Sequence, residues 1–251
     1  MIYVCIPAHD EAATVGVLLW KTRKLMAEFG RDYRVVVLDD GSSDDTRAVL
    51  DRYKKTLPLT VFHSDECLGY GRSVERLLRY VTTQADYPKR DCAVVLQGDF
   101  TEDPEDVISL VKVLEGGSDV VAASPDSEAR PVPRGMRLAR LAARVVMGGA
   151  YRKAPVSDPL TGLRAYRIIV LKKAFREHPE KDSLVTSDGW AANMELLAAV
   201  APHARRISET PSEMRYDLQV RPSRFHPWRA FLALTRFRGG SYWAGVGKEA
   251  A

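Results

Sequence analysis

Acidic side chains follow several short apolar runs of the chain, and their types and spacing suit chemistry on a charged ligand. They lie in segments 9–11, 39–46 and 97–103. Because the carboxyl ends of parallel strands meet at one edge of a sheet, where ligands bind, we expect these segments to lie together. An acidic edge repels a phosphorylated ligand unless a hard divalent cation, held by carboxylate and phosphate oxygens, neutralises it. Asp99 is the best candidate for a ligand of that cation.

Some of these acidic residues have an alternative role as helix caps. Asp44, Asp45 and Asp103 precede helical patterns, and Asp is a preferred N-cap residue. Pro104 follows Asp103 and suits the first position of a helix. Asp40 differs, because it lies directly beyond an apolar run and beside a glycine, so the strand-end rule favours a binding role for it.

The second half of the chain carries a cationic stripe. Segment 130–153 contains no acidic residue. A helix over 134–148 places arginines within about a third of a turn, next to apolar residues. The arginines are Arg134, Arg137, Arg140 and Arg144. Three interpretations remain open: a solvated face, a phosphate clamp that includes Arg134 and Arg137, and contact with an anionic membrane.

The C-terminal segment 215–238 is also rich in arginine. It interleaves arginines with Phe225, Trp228 and Phe237, against the single acidic residue Asp217, which suits lipid headgroups. A nucleic-acid surface has a similar composition, but the formal net charge is only +4 and the chain has no nucleic-acid motif. We therefore expect a lipid phosphate or a membrane surface as a partner, and no nucleic acid. The oligomeric state is not indicated.

A doubly wound α/β arrangement is predicted to position these residues. Val- and Ile-rich runs alternate with helical patterns, which indicates βαβ units and a parallel sheet. The predicted strands are 2–6, 34–39, 59–63, 93–97 and 119–123, and the predicted helices are 13–29, 45–55, 71–82 and 104–114. Prolines and arginines then replace this alternation. We expect residues 1–124 to form the α/β half and residues 125–251 to form a cap continuous with the same domain.

The composition supports a buried core, with 45% apolar and 28% charged residues. Disorder, collagen and coiled coil are excluded as descriptions of the whole chain. Cys5, Cys67 and Cys92 have neither disulfide nor zinc spacing. The N-terminus does not read as a signal peptide, and no window approaches the roughly 18 to 20 apolar residues that span a bilayer. We therefore expect a cytoplasmic protein without a spanning helix, peripheral at the membrane if it meets one.

Three sequence blocks, in order and in register, resemble glycosyltransferase family 2. Within that family they are most similar to dolichol-phosphate and polyprenyl-phosphate mannose synthases. The blocks are 6–11 (IPAHDE), 38–46 (LDDGSSDDT) and 158–167 (DPLTGLRAYR), and the resemblance covers about residues 2–224. It implies a GT-A fold, which is a Rossmann-like, mostly parallel sheet flanked by helices. It also implies a nucleotide-diphosphate sugar donor bound by residues 1–124, an acceptor side in residues 125–251, and inversion at the anomeric carbon.

The resemblance also assigns residues to the nucleotide sugar by position. Pro7, His9 and Glu11 would line the nucleotide, and Asp40 would contact its base or ribose. His9 and Asp10 stand where the family has Tyr-Asn, and the loop 67–71 reads CLGYG, without the family's lysine.

The family's Asp-x-Asp metal motif falls on residues 97–99. Asp99 keeps the second carboxylate, while Gln97 replaces the first. The resemblance implies a divalent cation, Mg²⁺ or Mn²⁺. An amide carries one negative charge less than a carboxylate, so the affinity for the cation should fall, or the activity should no longer depend on it. Near the C-terminus the family's Gly-x-Ser-Lys pattern reads RPSR, and Arg224 is the candidate phosphate contact in it.

The nucleophile decides whether a catalytic base is needed. A phosphate is already ionised near neutral pH, whereas a hydroxyl must lose its proton to a carboxylate. Asp188 occupies roughly the position where hydroxyl-using members of the family keep their base, and a helix N-cap is its alternative role. Departing negative charge would be stabilised by the cation, by arginines or by both.

We therefore predict an inverting glycosyltransferase that moves a hexose from a GDP or UDP donor to a polyprenyl or dolichyl phosphate. Two alternatives remain open. One is a soluble family 2 enzyme that acts on a hydroxyl of a small molecule or glycan, with Asp188 as its base. The other is a non-catalytic protein that binds a nucleotide sugar.

Overall fold

A seven-stranded sheet forms the centre of the computed structural model, which describes residues 1–125, 133–179, 183–216, 227–237 and 243. The strands are β1 (Ile2–Ala8), β2 (Tyr33–Asp40), β3 (Leu59–Ser64), β4 (Cys92–Val95), β5 (Val120–Pro125), β6 (Arg164–Arg167) and β7 (Ile207–Ser212). The helices are α1 (Val15–Phe29), α2 (Thr46–Tyr53), α3 (Tyr70–Gln84), α4 (Pro104–Glu115), α5 (Arg134–Met147), α6 (Gly149–Arg152), α7 (Ile168–Glu177), α8 (Gly189–Val200) and α9 (Pro227–Leu234).

The sheet is mostly parallel, as predicted. Its strand order is β3-β2-β1-β4-β6-β5-β7, and β6 runs antiparallel to both of its neighbours. The order of the first four strands reverses direction at β1 and β4, which places a crevice at their carboxyl ends. The strands and helices predicted in the first half are all present, with ends that differ by a few residues.

Both faces of the sheet are covered, which explains why its strands read as continuous apolar runs. In β1, Val4 and Ile6 share one buried cluster with Leu18 of α1. Cys5, between them, faces the opposite cluster, which includes Leu78 of α3. Successive side chains of a strand point to opposite faces, so one strand supplies both cores.

Strands β6 and β7 complete the sheet beyond residue 124, and the sequence prediction did not include them. Arg164, the first residue of β6, is completely buried, and its guanidinium donates to the backbone oxygens of Asn193 and Pro159, both at 2.6 Å. β7 contains Pro211 and pairs with β5 at the end of the sheet, a position that tolerates proline. Because β6 begins with a buried arginine and β7 contains a proline, neither strand reads as an apolar run in the sequence.

Helix α5 confirms the helix predicted over 134–148. Ala143 and Met147 are buried against the core, whereas the opposite face exposes Leu138, Leu141 and Val145 by 67%, 56% and 74%. No helix in the described part of the chain has the length and apolar composition needed to cross a bilayer.

Candidate active site

A cavity of about 570 Å³ lies at the carboxyl ends of β1, β2 and β4, beside the first residues of α3 and α8. Residues singled out from the sequence contribute much of its lining: Pro7, His9, Glu11, Asp40, Gln97, Asp99 and Asp188. The acidic segments therefore meet at one edge of the sheet, as the strand-end rule predicted.

Asp40, at the end of β2, is buried and holds the loop that leads into α3. Its carboxylate accepts hydrogen bonds from the backbone N–H groups of Leu68, at 2.7 Å, and Gly69, at 2.9 Å. Cys67 Sγ lies 3.6 Å from the same carboxylate. Each oxygen of Asp40 is thus engaged by the loop, and the side chain shapes the cavity wall as well as lining it.

The loop after β1 is held against the loop after β2. His9 Nδ1 donates to the backbone oxygen of Asp40 at 2.6 Å, because a carbonyl oxygen only accepts. Asp10 adopts a positive φ of 51° and accepts from the backbone N–H of Ser43 at 2.6 Å. Glu11 is buried and accepts from Thr14 Oγ1 at 3.0 Å. These contacts bring the ends of the two strands into one surface.

Helix caps account for two of the three predicted capping residues. Asp103 accepts from the backbone N–H of Glu105 at 3.0 Å, with Pro104 at the first position of α4. Asp44 accepts from the backbone N–H of Thr46 at 2.9 Å, at the start of α2. Asp45 occupies the N-cap position of α2 without a side-chain capping bond.

Gln97 is bound through two of its groups by Glu102, a residue that sequence reasoning did not single out. Glu102 Oε2 accepts from the backbone N–H of Gln97 at 2.8 Å, and Oε1 accepts from its side-chain Nε2 at 3.1 Å. Glu102 is completely buried, and this burial raises its pKa to about 8. A buried carboxyl group therefore holds the residue that replaces the first carboxylate of the metal motif.

Asp99 lies in the same loop as Gln97. Its Oδ1 accepts from the backbone N–H of Thr101 at 3.0 Å and from Thr101 Oγ1 at 2.7 Å. These bonds fix the carboxylate, and among the described residues none donates a hydrogen bond to Oδ2. Asp99 lines the cavity and is available to a ligand through Oδ2.

Asp188 has the N-cap position of α8 but makes no capping bond to that helix. Its Oδ1 accepts instead from the backbone N–H of Gly71 in the first turn of α3, at 2.9 Å. A Cβ on Gly69 would lie 2.6 Å from Asp188 Oδ2, so the glycine leaves room for this approach. Asp188 therefore caps a helix other than its own.

Two further carboxylates hold the segment 183–187 that leads to Asp188. Glu75 of α3 accepts from the backbone N–H groups of Leu184, at 3.1 Å, and Val185, at 2.9 Å. These bonds and Arg79 lower the pKa of Glu75 despite its burial. Glu195 of α8 accepts from the backbone N–H groups of residues 186 and 187 at 2.7 and 2.9 Å. The segment is fixed at both ends.

Arg140, on α5, brings a positive charge to the cavity lining. Among the described residues it is the one lysine or arginine in the lining. It forms an ion pair with Asp158, and its guanidinium lies 5.7 Å from the ring centre of Trp190, which also lines the cavity. The cavity thus has acidic side chains at the strand ends and a second wall, from α5 and the start of α8, that holds Arg140, Trp190 and the carboxylate of Asp188.

The other arginines predicted at the site have different positions. Arg134 and Arg137 lie on the exposed side of α5, outside the cavity lining. Arg224 lies outside the described residues. The rotation of α5 about its axis directs Arg140, rather than its neighbours in the stripe, to the cavity.

Tyr70 stands in the loop position where the family has lysine. Burial raises the pKa of its hydroxyl, which stays protonated and donates to Asn193 Oδ1 at 3.0 Å. A Cβ on Gly162 would lie 2.5 Å from that hydroxyl, so Gly162 makes room for the tyrosine. The loop 67–71 therefore contributes a neutral hydroxyl group, and no charge, to the cavity lining.

The donor atoms at residues 97 and 99 fit a hard cation. Asp99 Oδ2 and Gln97 Oε1 both belong to lining residues and accept no hydrogen bond from the described part of the chain. No group of three or more His, Cys, Asp or Glu side chains there could hold a metal ion. The residues suit a cation bound by a few protein oxygens and completed by phosphate and water, as Mg²⁺ often is.

The strand order and the acidic strand-end cavity define an α/β domain of the GT-A type, and a solved structure has the same fold. Glucosyl-3-phosphoglycerate synthase from Mycobacterium tuberculosis, in complex with Mn²⁺, uridine diphosphate and glucosyl-3-phosphoglycerate, has a TM-score of 0.61 and 23% identity, covering 94% of this chain and 76% of that chain.

The sequence profile of glycosyl transferase family 2 matches residues 3–175, and the chain belongs to this family. An undecaprenyl-phosphate 4-deoxy-4-formamido-L-arabinose transferase from Edwardsiella ictaluri is 27% identical over 179 residues, which is 70% of this chain and 52% of that protein. The Pseudomonas aeruginosa protein of the same name is 29% identical over 171 residues, 66% of this chain and 47% of that protein. The chain spans about half the length of these relatives.

Proposed function

We propose that this chain transfers a hexose from a GDP or UDP donor to the phosphate of a polyprenyl phosphate, with inversion at the anomeric carbon. The observation that carries this proposal is the division of the cavity into an acidic wall and a wall that contains Arg140. A cation and a nucleotide diphosphate suit the first wall, and an anionic acceptor suits the second. The relatives named as undecaprenyl-phosphate transferases support a lipid phosphate as the acceptor.

The chemistry is a single displacement. A phosphate oxygen of the acceptor attacks the anomeric carbon, and the bond from that carbon to the donor diphosphate breaks with its electrons on the diphosphate. The sugar configuration inverts because attack and departure occur on opposite faces. The attacking phosphate is already ionised, so this reaction needs no general base. Arg140 holds the acceptor phosphate beside the sugar and offsets its charge.

Gln97 and Asp99 would hold Mg²⁺ or Mn²⁺, which when bound neutralises the charge that develops on the departing diphosphate. His9, Glu11 and Asp40 would surround the nucleotide, and Pro7 would pack against it. The neighbour from Mycobacterium tuberculosis was solved with Mn²⁺ and uridine diphosphate, which supports a divalent cation beside the nucleotide.

We also propose that the exposed face of α5 lies on an anionic membrane, peripherally. Leu138, Leu141 and Val145 form an apolar ridge, and Arg134 and Arg137 lie beside it. Such a face suits the boundary between headgroups and acyl chains. Since the same helix carries Arg140, a lipid phosphate at that boundary would have its headgroup close to the cavity.

The proposal is tested with a panel of nucleotide sugars that includes GDP-mannose and UDP-glucose. Each is incubated with undecaprenyl phosphate in detergent, with undecaprenol as the matched acceptor that lacks phosphate. We expect a glycosylated lipid from the phosphate with at least one donor and none from the alcohol. Transfer to the alcohol, or no product with any donor, would contradict the proposal.

Substitution of Arg140 tests the acceptor wall separately. We expect Arg140→Ala to lower kcat/KM for the lipid phosphate by about 10- to 100-fold, the range for a hydrogen bond to a charged group. Arg140→Lys should recover part of the loss. Arg137→Ala is the matched control on the exposed side and should stay within about twofold of the parent, because surface charges contribute little. Equal losses for Arg137→Ala and Arg140→Ala would instead indicate that the exposed arginines of α5 also bind the acceptor phosphate.

A further inference from the structure

Asp158, in the loop before β6, pairs with Arg140 of the cavity lining. Its Oδ2 accepts from Arg140 Nη1, and its Oδ1 accepts from the backbone N–H of Leu160 at 3.0 Å. Both side chains of this ion pair are mostly buried. Asp158 itself does not line the cavity, whereas Arg140 does. The carboxylate can therefore act on a ligand in the cavity through the arginine.

The loop that carries Asp158 is fixed by contacts with the sheet and with α8. Ser157 donates to Glu209 of β7 through its backbone N–H, at 2.8 Å, and through Oγ, at 2.7 Å. The backbone oxygens of residues 159 and 160 accept from Arg164 of β6, at 2.6 Å, and from Asn193 of α8, at 2.8 Å. These bonds set the position of the Asp158 carboxylate independently of Arg140.

The guanidinium of Arg140 is held on two sides. Asp158 is its one hydrogen-bond acceptor in the described part of the chain, and the ring centre of Trp190 lies 5.7 Å away. A guanidinium has five N–H donors, so several remain for a ligand in the cavity. A long side chain that has to be ordered when a ligand binds costs free energy. The carboxylate and the ring reduce this cost because they already hold the arginine.

We infer that Asp158 is a positioning residue of the acceptor site, which holds Arg140 in the orientation that binds the acceptor phosphate. This inference rests on the proposed function, because it requires an anionic acceptor at Arg140. Coulomb attraction and positioning make opposite predictions for the loss of this carboxylate. Removal of a negative charge near a phosphate should by itself strengthen binding, whereas loss of the support for Arg140 should weaken it. The direction of the change therefore identifies the role.

The test compares Asp158→Asn with the parent in sugar transfer to undecaprenyl phosphate in detergent. Asparagine keeps Oδ1 for the N–H of Leu160 and removes the charge that holds Arg140. We expect KM for the lipid phosphate to rise by about five- to tenfold, with kcat and the KM of the nucleotide sugar within about twofold of the parent. In the Arg140→Ala background the same substitution should change each constant by less than about twofold, because no arginine is left to hold.

Asp119→Asn is the matched control, because it weakens another mostly buried pair of an aspartate with an arginine. Asp119 directly precedes β5, pairs with Arg167 at 3.4 Å and lies outside the cavity lining. This variant should leave both KM values unchanged. Thermal melting shows which variants are folded. If Asp158→Asn does not fold, Asp158→Glu, which displaces the carboxylate by the length of one methylene, should show the rise in KM for the lipid phosphate.

The outcomes separate this inference from the proposed function. A KM for the lipid phosphate that is unchanged or lower in Asp158→Asn overturns the inference alone, because the carboxylate would then at most compete with the phosphate. So does an equal rise with and without Arg140, or a loss of kcat alone, since either would give Asp158 a role of its own. A parent protein that transfers no sugar to undecaprenyl phosphate overturns the proposed function as well.

Discussion

Asp188 shows at the scale of one residue how a single carboxylate can fit two roles. Its side chain lines the cavity, where a base for a hydroxyl acceptor would lie. The same carboxylate accepts from Gly71 N–H at the positive end of the α3 dipole. As a cap, the Asp188 side chain accepts a hydrogen bond at the first turn of α3. With the proposed phosphate acceptor, the reaction needs no general base, so Asp188 is not required for that role.

Replacement of Asp188 separates these roles. Asparagine keeps an oxygen that accepts from Gly71, so we expect Asp188→Asn to retain kcat for a lipid phosphate within about threefold and to lose at most about 1 kcal/mol of stability through the helix dipole. Asp188→Ala should lose about 1 kcal/mol or more, because it leaves that N–H without its partner. Turnover and thermal melting are measured side by side. A fall in kcat of about 100-fold or more in Asp188→Asn is the effect of a lost general base, and would favour the hydroxyl acceptor.

At the level of helices and strands, Asp106 joins α4 to β7, and its ionisation makes the stability of the fold depend on pH. Asp106 accepts from Ser212 Oγ at 2.7 Å. Burial, together with the neighbouring Asp103, Glu105 and Glu213, raises its pKa from 3.8 to about 6. The folded state therefore holds this proton more tightly than the unfolded state. Stability falls as pH rises from about 4 to about 6, and the full cost is present above pH 6.

Asp106→Asn should remove this cost while it keeps an oxygen for Ser212. We expect the variant to be more stable than the parent at pH 7.5 by about 1 kcal/mol, after discounting the shift for partial exposure, and equally stable near pH 4. In thermal melts this corresponds to about 2–4 °C at pH 7.5. Glu28→Gln, an exposed change of an acid on α1, is the control. A difference between Asp106→Asn and the parent that is independent of pH would contradict the assignment.

At the scale of the whole molecule, charge and apolar surface are arranged around one helix. Helix α5 packs Met147 into the core, directs Arg140 to the cavity and exposes Leu138 and Leu141. The mild net charge of +4 combines acidic strand ends with this basic region. The proposed membrane contact and the proposed acceptor wall therefore share one helix.

Vesicle binding tests that arrangement. We expect the protein to sediment with vesicles of phosphatidylcholine and phosphatidylglycerol, less with phosphatidylcholine alone, and less at high salt. Leu138→Glu with Leu141→Glu should lower the bound fraction by about tenfold or more, because each leucine contributes about 1–2 kcal/mol when buried. Val17→Glu changes an exposed apolar residue on α1 and is the control. Equal losses in both, or none in the double variant, would place the membrane contact elsewhere.

Much of the fold and the acidic half of the site followed from the sequence, because both depend on local patterns. Apolar runs of strand length alternate with helical periodicity, and ligand-binding residues follow the strands. Asp40 and Asp99 were identified on this ground and line the cavity. The resemblance to glycosyltransferase family 2 rests on two of these strand-end segments, 6–11 and 38–46, and on block 158–167, and the family match confirms it.

The remaining features depend on contacts that no local pattern records. Asp188 caps a helix whose first turn lies 117 residues earlier. Arg140 lines the cavity while Arg137 is exposed, because the packing of α5 fixes which side of the stripe turns inward. Arg164 is buried in β6 against backbone oxygens, which reverses the usual preference of arginine for the surface. The helices, the strands and the acidic strand ends follow from local patterns in the sequence. Which charges are buried, paired or directed to the cavity depends on packing, since burial and pairing arise between elements far apart in the chain.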